Sequence, residues 1–268
     1  MTMKIAVPKE SVSDEKRVAL IPESVKRLSA KGFEIIVESK AGETSFIDDA
    51  EYTAAGAKIE TDAGALLGTA DLVLKVQGPQ FHEGLKKHEV DMMREGTVLI
   101  ALLQPLTRPD LVKQLSDKKI TAFSMDSIPR TTLAQSMDAL SSMSTIAGYM
   151  AVIVAAGTLP KFFPMFMTAA GTIAPARVFI VGAGVAGLQA VATAKRLGAV
   201  VEAFDQRPIV KEQVESLGVK FVMVPTEGEE AQTTGGYAQE LSENYKKRQA
   251  ELIHKHIVKS DIIISHCL

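Results

Sequence analysis

The chain has 268 residues, of which 46% are hydrophobic and 23% are charged, and its formal net charge is -2. This composition is typical of a soluble globular protein and excludes a disordered chain. Because 30 basic residues are scattered among 32 acidic ones, the chain lacks a basic stripe for a phosphate backbone, and we expect no nucleic-acid partner.

The single cysteine, Cys267, excludes an internal disulfide and a cysteine-based metal cage. His254 and His256 are two residues apart on a predicted helix, so they do not form the i, i+4 pair of a metal site, and we expect no metal. The N-terminus carries charge before any long apolar stretch. We therefore expect no secretory signal and a cytoplasmic protein.

Short β-branched segments alternate with helical patterns in the first half of the chain, which predicts a parallel sheet. Pro22 suits the first turn of a helix, and Gly32 suits the residue just after it. We assign residues 1–133 to an N-terminal α/β domain. The predicted strands are 4–7, 33–38, 72–76, 97–102 and 120–124, and the predicted helices are 22–30, a helix around Leu66, and 111–115.

Apolar residues recur every three or four positions over residues 134–166, which predicts a long helix that connects two domains. Within it, the 22 residues from Ala139 to Pro160 carry no charge, which is long enough to cross a bilayer. Because small polar residues interrupt this stretch, we expect a buried helix instead of a membrane span. Residues 168–175 are predicted to be a linker.

Residues 167–268 have the pattern of a Rossmann-like domain, with predicted strands at 177–182, 220–224 and 261–265 and another that ends at Asp205. The helices are predicted at 188–197 and 238–259, with a surface loop at 225–236. A complete doubly wound domain has about six strands, so we expect this one to be incomplete. The predicted fold class is thus α/β, with two Rossmann-like parallel-sheet domains joined by a long helix.

Three glycines, Gly182, Gly184 and Gly187, lie between a predicted strand and a predicted helix. The first permits a tight turn, the second lets the backbone approach a pyrophosphate, and the third lets helix and strand pack closely. Asp205 follows 23 positions after Gly182, where a carboxylate accepts hydrogen bonds from the adenosine ribose. The motif favours NAD over NADP, although Arg207 could weaken that discrimination. A tight turn without a ligand is the alternative.

A second cluster of polar residues comprises Arg130, Gln135, Asp138 and Ser141. On a helix the last three share one face, so an amide, a carboxylate and a hydroxyl would converge beside the arginine. The same residues could equally be helix caps and a structural ion pair, and the residues alone leave both interpretations open.

Several motifs resemble the alanine dehydrogenase and transhydrogenase superfamily in their order. These are Lys4-Ile-Ala-Val-Pro-Lys-Glu10, Arg17-Val-Ala-Leu20, Leu74-Lys75-Val76, the block from 130 to 149 and Gly182–Gly187. Two further segments, Lys211-Glu-Gln-Val-Glu-Ser-Leu-Gly218 and Thr234-Gly-Gly-Tyr-Ala238, are similar to the transhydrogenases specifically. The most diagnostic is Ala134-Gln-Ser-Met-Asp-Ala-Leu-Ser-Ser142.

The resemblance implies a set of NAD(H) contacts at matching positions. Arg130, Gln135, Asp138 and Ser141 would surround the nicotinamide and carry the catalytic positioning. One departure is Leu133, where the family commonly has a second arginine. The other implied cofactor contacts are Ser136 and Met137 in the same segment, Gly182, Gly184, Val185 and Gly187, then Asp205, Gln206 and Arg207, the loop residues Gly236 and Tyr237, and finally Gln249 and Leu268.

Alanine dehydrogenase is the rival within the superfamily. The resemblance implies that such an enzyme holds its substrate with an arginine and a lysine, which Arg17 and Lys75 match. It also needs a histidine acid/base, but Gln104 stands at that position, and an amide cannot exchange a proton near neutral pH. Oxidative deamination is therefore disfavoured, and Arg17 and Lys75 are interpreted as structural groups.

The resemblance implies the NAD(H)-binding component of a proton-translocating NAD(P) transhydrogenase. It would transfer a hydride between NADH and NADP⁺, the latter bound only on a partner subunit. The expected partners are membrane-spanning and NADP-binding subunits, and a second copy in a homodimer on the cytoplasmic face of the membrane. The sequence ends in Ser265-His-Cys-Leu268, where the family continues with Thr-Ala-Leu-Ile-Pro-Gly. A non-catalytic truncated fragment, from a frameshift or partial gene, is thus the alternative.

Overall fold

The computed structural model describes residues 2–129, 131, 133–224 and 242–266. The chain divides into two compact units, Met1–Asp138 and Ala139–Leu268. The domain boundaries at residues 133 and 166 stay predictions, because compactness alone does not define a domain.

The first unit alternates strands and helices. The elements are β1 Lys4–Val7, α1 Pro22–Ala30, β2 Glu34–Glu38, α2 Asp49–Ala54, β3 Lys58–Glu60, α3 Ala63–Thr69, β4 Leu72–Gln77, β5 Phe81–His82, β6 Lys87–His88, α4 Glu89–Met92, β7 Val98–Leu102, α5 Pro109–Asp117 and β8 Thr121–Ser124. Six of the strands form one parallel sheet in the order β3-β2-β1-β4-β7-β8. Strands β5 and β6 form a separate small antiparallel pair.

Both faces of this sheet are covered. In β1, Ile5 and Val7 belong to one buried cluster together with Val25 of α1, whereas Ala6 belongs to another together with Leu111 of α5. Alternate residues of a strand point to opposite faces, so β1 is buried on both sides, as parallel strands with crossover helices require.

The predicted strands and helices of the first half are confirmed within about two residues at each end. Gly32 has φ +88° directly after the last turn of α1, as a helix end requires. Helix α2 was missed, although Asp48 and Glu51 form a capping box at its start. That pair was the available sequence signal.

The second unit begins with a long helix and continues with alternating strands and helices. The elements are α6 Ala139–Thr158, β9 Phe166–Thr168, β10 Gly171–Ile173, β11 Arg177–Val181, α7 Val185–Arg196, β12 Val200–Phe204, α8 Lys211–Ser216, β13 Lys220–Val222, α9 Glu243–Ile257 and β14 Ile262–Ser265. Four strands form a parallel sheet in the order β13-β12-β11-β14. Strands β9 and β10 form an antiparallel hairpin of their own.

Helix α6 is shorter and more exposed than predicted. Residues 135–137 form a 3-10 turn, and Asp138 has φ -74° and ψ 89°, so α-helical geometry begins only at Ala139. The helix ends before Pro160, whose ring disfavours helical backbone in the residue before it. Of its twenty residues, all of them described, only Gly148 and Val152 are buried, so the prediction of a buried helix was wrong.

Judged by length and composition alone, α6 could cross a membrane, and it is the one such helix in the described part of the chain. The predicted linker at residues 168–175 was also wrong, because strand β10 lies within it. Gly171 has φ +134° and lets the chain turn between β9 and β10.

Helices α6 and α7 approach each other closely at Gly148. A Cβ atom there would lie 2.1 Å from the carbonyl oxygen of Ala186, which is backbone and cannot swing aside. Gly157, near the end of α6, would meet nothing within 4 Å if it carried a Cβ. The two positions therefore form a matched pair.

We predict that Gly148→Ala lowers the free energy of unfolding of the second unit by about 2 kcal/mol or more, because α6 must move away from α7. Gly157→Ala is expected to leave it unchanged or raise it by up to about 1 kcal/mol, because alanine favours the helix. Urea unfolding followed by circular dichroism measures both. Equal effects of the two substitutions would contradict the close approach.

Candidate nucleotide-binding site

The turn between β11 and α7 is shaped by its glycines. Gly182 has φ +97°, and its N–H donates to the carbonyl of Phe204 at 2.8 Å, which fixes the turn against β12. A Cβ at Gly187 would lie 1.8 Å from the carbonyl oxygen of Gly182. No other residue fits there, so the first turn of α7 packs directly on the end of the strand.

The start of α7 could accommodate a pyrophosphate. Gly184 precedes the helix and provides no side-chain cap for its first N–H groups, and the first turn contains no acidic residue. A Cβ at Gly184 would meet nothing within 4 Å, so the space above it is open. Val185 follows and is 46% exposed. Unpaired N–H groups and the positive end of the helix dipole at an open position favour an anion.

Asp205 lies at the carboxyl end of β12 and is buried. Its Oδ2 accepts the backbone N–H of Ala183 at 2.8 Å, which joins the carboxylate to the glycine turn. Burial raises the pKa of Asp205, but hydrogen bonds from Arg207 and Ala183 outweigh it and hold the pKa below its ordinary value. The group is therefore a charged acceptor at neutral pH. Gln206 is half-buried beside it.

The residues predicted to surround a nicotinamide do not share one helical face. Gln135, Ser136 and Met137 are exposed in the 3-10 turn of the first unit, and Asp138 is buried at its end. Ser141 is half-buried in α6, within the second unit. The helical spacing used to group them was wrong, because helical backbone begins after Asp138. Their role at a nicotinamide stays a prediction.

Four predicted site residues lie outside the described residues: Arg130, Gly236, Tyr237 and Leu268. Gln249 is described and is half-buried on α9.

Lys75 of β4 is engaged inside the first unit. Its side chain is 0% exposed, and its Nζ lies 2.9 Å from Oε1 of Glu89 and 3.7 Å from Oε2 of Glu10. Glu10 also accepts the N–H groups of Val76 and Gln77 at 2.6 and 3.3 Å. Burial raises the pKa of Glu10 above its ordinary value, opposed by Lys75 and these N–H groups. This cluster lies at the carboxyl ends of β1 and β4, where doubly wound sheets commonly bind ligands.

Arg17 is paired in a similar way. Its Nε and Nη2 donate to the two carboxylate oxygens of Glu15 at 2.8 and 2.6 Å, and Gln77 donates its side-chain amide to Glu15 at 2.8 Å. These bonds lower the pKa of Glu15 to about 2. Sequence reasoning missed Glu10, Glu15 and Glu89, although a lysine in a predicted buried strand signals a nearby carboxylate.

Gln104 follows β7 with φ +51°, an uncommon conformation for a residue other than glycine. The carboxylate of Asp126 accepts the N–H groups of Leu103 and Gln104 at 2.8 and 3.1 Å and stabilises this backbone. The exposed side chain is an amide and cannot act as an acid or a base.

Two family models match consecutive segments of the chain. The alanine dehydrogenase/PNT N-terminal domain matches residues 6–147, and the alanine dehydrogenase/PNT C-terminal domain matches residues 151–268.

Among similar proteins, an NAD(P) transhydrogenase subunit alpha of Rhodospirillum rubrum is 53% identical over 99% of this chain and 69% of its own length. The crystal structure of transhydrogenase from Sinorhizobium meliloti superposes with a TM-score of 0.84 at 44% identity, covering 98% of this chain and 69% of the other. Alanine dehydrogenase of Halomonas elongata is 37% identical over 76% of this chain and 54% of its own length. The transhydrogenases are thus the nearer of the two groups.

We predict that Glu15→Gln removes part of the acid sensitivity of the first unit. The folded-state pKa of about 2 lies below the ordinary value of 4.5, so the Glu15 carboxylate stabilises the fold above about pH 4.5 and loses this effect as the pH falls towards 2. Because Arg17 is 37% exposed, we discount the effect to about 1–2 kcal/mol.

Urea unfolding at about pH 6 and about pH 2.5 measures this difference between wild type and variant, which is expected to shrink at the lower pH. Glu23→Gln, which removes the exposed partner of Arg27 on α1, is the control with the same charge change. A constant difference at both pH values would contradict the role of Glu15.

Proposed function

Because this chain belongs to the alanine dehydrogenase/PNT family, we propose that it is the NAD(H)-binding component of a proton-translocating NAD(P) transhydrogenase. It would contribute the NADH side of a hydride transfer to NADP⁺ held by a partner subunit. Relatives that cover the chain almost completely are transhydrogenase alpha subunits, whereas alanine dehydrogenases are more distant. The observation that carries the proposal is the hydrogen bond that joins the glycine turn to Asp205.

The geometry of the second unit supports NAD as the cofactor. The open start of α7 suits the pyrophosphate, and Asp205, held 2.8 Å from the N–H of Ala183, suits the diol of the adenosine ribose. A 2′-phosphate at that position would stand against a buried carboxylate. Gln206, Arg207 and Gln249 are proposed as further contacts on the adenosine side.

We assign the nicotinamide half to Gln135, Asp138 and Ser141, with Arg130. When bound, the cofactor supplies the hydride, which passes directly between two nicotinamide rings. No acid or base is needed, so these residues would orient the ring and hold it at the reacting distance. Gln135 is exposed and Asp138 is buried, which suits one group that faces a partner and another that fixes the turn.

The first unit offers a surface for that partner beside the same turn. Leu133 is 91% exposed and Met137 is 55% exposed, on either side of the exposed Gln135 and Ser136. Large apolar side chains left to water around a functional turn favour docking of another protein. We propose that the NADP-binding and membrane-spanning subunits approach here, which would make this chain peripheral to the cytoplasmic face of the membrane.

The exposed face of α6 supports a homodimer. Ile146, Met150 and Val154 follow one another at four-residue spacing and are 52%, 45% and 57% exposed. Residues four apart share a helical face, so these side chains form one apolar stripe. Burial of such a stripe against a second copy removes it from water and drives association.

Alanine dehydrogenase activity is opposed by the first unit. Lys75 and Arg17 already pair with carboxylates of the chain, and an amide stands at Gln104. Removing one partner of a buried pair leaves an uncompensated charge, so these cations are structural.

We predict NADH-selective binding. In calorimetric titrations of the purified chain, NADH is expected to bind at least about tenfold more tightly than NADPH, because Asp205 accepts a hydroxyl and repels a phosphate. Asp205→Asn is expected to weaken NADH binding about tenfold or more. Glu212→Gln, an exposed change of the same kind on α8, is expected to leave it unchanged.

Preference for NADPH, or L-alanine-dependent reduction of NAD⁺, would count against the proposal. Absence of any nucleotide binding would favour a non-catalytic fragment.

For the dimer, we predict that Val154→Glu shifts the chain towards monomer in sedimentation equilibrium, because a carboxylate in a buried apolar stripe is unfavourable. Val258→Glu, at a position 71% exposed just after α9, is the control and should not change the mass. If both variants keep the mass of the wild type, α6 does not form the interface. Flotation of wild-type protein with lipid vesicles would instead indicate membrane binding by α6.

A further inference from the structure

The carboxylate of Asp205 is fully engaged by the chain itself. Oδ1 accepts the backbone N–H of Arg207 at 2.8 Å and its Nε at 2.9 Å. Oδ2 accepts Nη2 of Arg207 at 2.8 Å and the N–H of Ala183 at 2.8 Å. A carboxylate has about four lone-pair positions, so these four donors use all of them.

Two of the four donors are backbone groups that shape the turn, and the other two belong to one guanidinium. The side chains of Asp205 and Arg207 are 6% and 17% exposed, so water screens the pair weakly. Paired donation from a guanidinium to both oxygens is among the stronger hydrogen-bonded arrangements in proteins. A ribose diol that donates to Asp205 needs the same lone pairs.

We propose that Arg207 is an internal competitor of the cofactor, whose guanidinium and the adenosine ribose hydroxyls bind the Asp205 carboxylate in mutually exclusive fashion. This inference rests on the proposed function, since it takes Asp205 as the ribose acceptor. It goes further by giving Arg207 an effect opposite to that of a cofactor contact. Arg207 lowers the affinity at the ribose and thereby hastens release of the nucleotide.

The energetic consequence follows from competition. If the guanidinium must leave before the ribose binds, the apparent dissociation constant equals the intrinsic one divided by the fraction of protein whose carboxylate is accessible. The backbone donors from Ala183 and Arg207 remain in both states and keep Asp205 ionised. The competition therefore changes affinity without changing the shape of the turn.

Adenosine is the probe that isolates this contact, because it carries the ribose and no phosphate that a guanidinium could attract. We expect adenosine to bind Arg207→Gln about fivefold or more tightly than the wild-type chain in calorimetric titration. Arg196→Gln, an exposed arginine at the end of α7, is the control with the same charge change and should leave the affinity unchanged. A loss or absence of change with Arg207→Gln overturns the inference.

A second measurement uses the wild-type chain and does not depend on a variant that folds. In a crystal structure with NADH bound, the guanidinium of Arg207 is expected to lie away from Asp205 while the ribose hydroxyls donate to the carboxylate. An intact Arg207–Asp205 pair beside a bound ribose overturns the inference and leaves the proposed function standing. Failure of the wild-type chain to bind NADH overturns both.

Discussion

Helix α7 starts so close to the strand it follows that only backbone fits between them. A Cβ at Gly187 would lie 1.8 Å from the carbonyl oxygen of Gly182, and this contact fixes where the first N–H groups of the helix point. The same turn directs the N–H of Ala183 to Asp205. The two halves of the adenosine side of the site, the anion position and the ribose acceptor, are thereby linked through one piece of backbone.

Both units keep their ionised groups paired with groups of the same chain. In the first, Lys75 is surrounded by Glu10 and Glu89, and in the second, Asp205 is surrounded by Arg207 and backbone donors. The two pairings differ in accessibility. Lys75 is entirely buried, so its charge serves the fold, whereas Arg207 is partly exposed and can leave its partner. Burial thus separates a structural ion pair from one that a ligand can replace.

The sequence predicted those features of the fold that depend on local patterns. The strands beside the glycine turn were found because apolar residues, glycine spacing and a terminal aspartate agree there. The start of α6 was misplaced, because the apolar period continues through residues 134–138 while the backbone of Asp138 is not helical. The pairing of Lys75 with Glu89 could not be predicted, since it joins residues on β4 and α4 through tertiary packing alone.

The exposure of α6 also has a thermodynamic consequence. If two copies bury this helix against each other, folding and association are linked, and mass action makes the melting temperature depend on protein concentration. Dilution alone would then make the chain less heat-resistant, with no change in any contact within one copy.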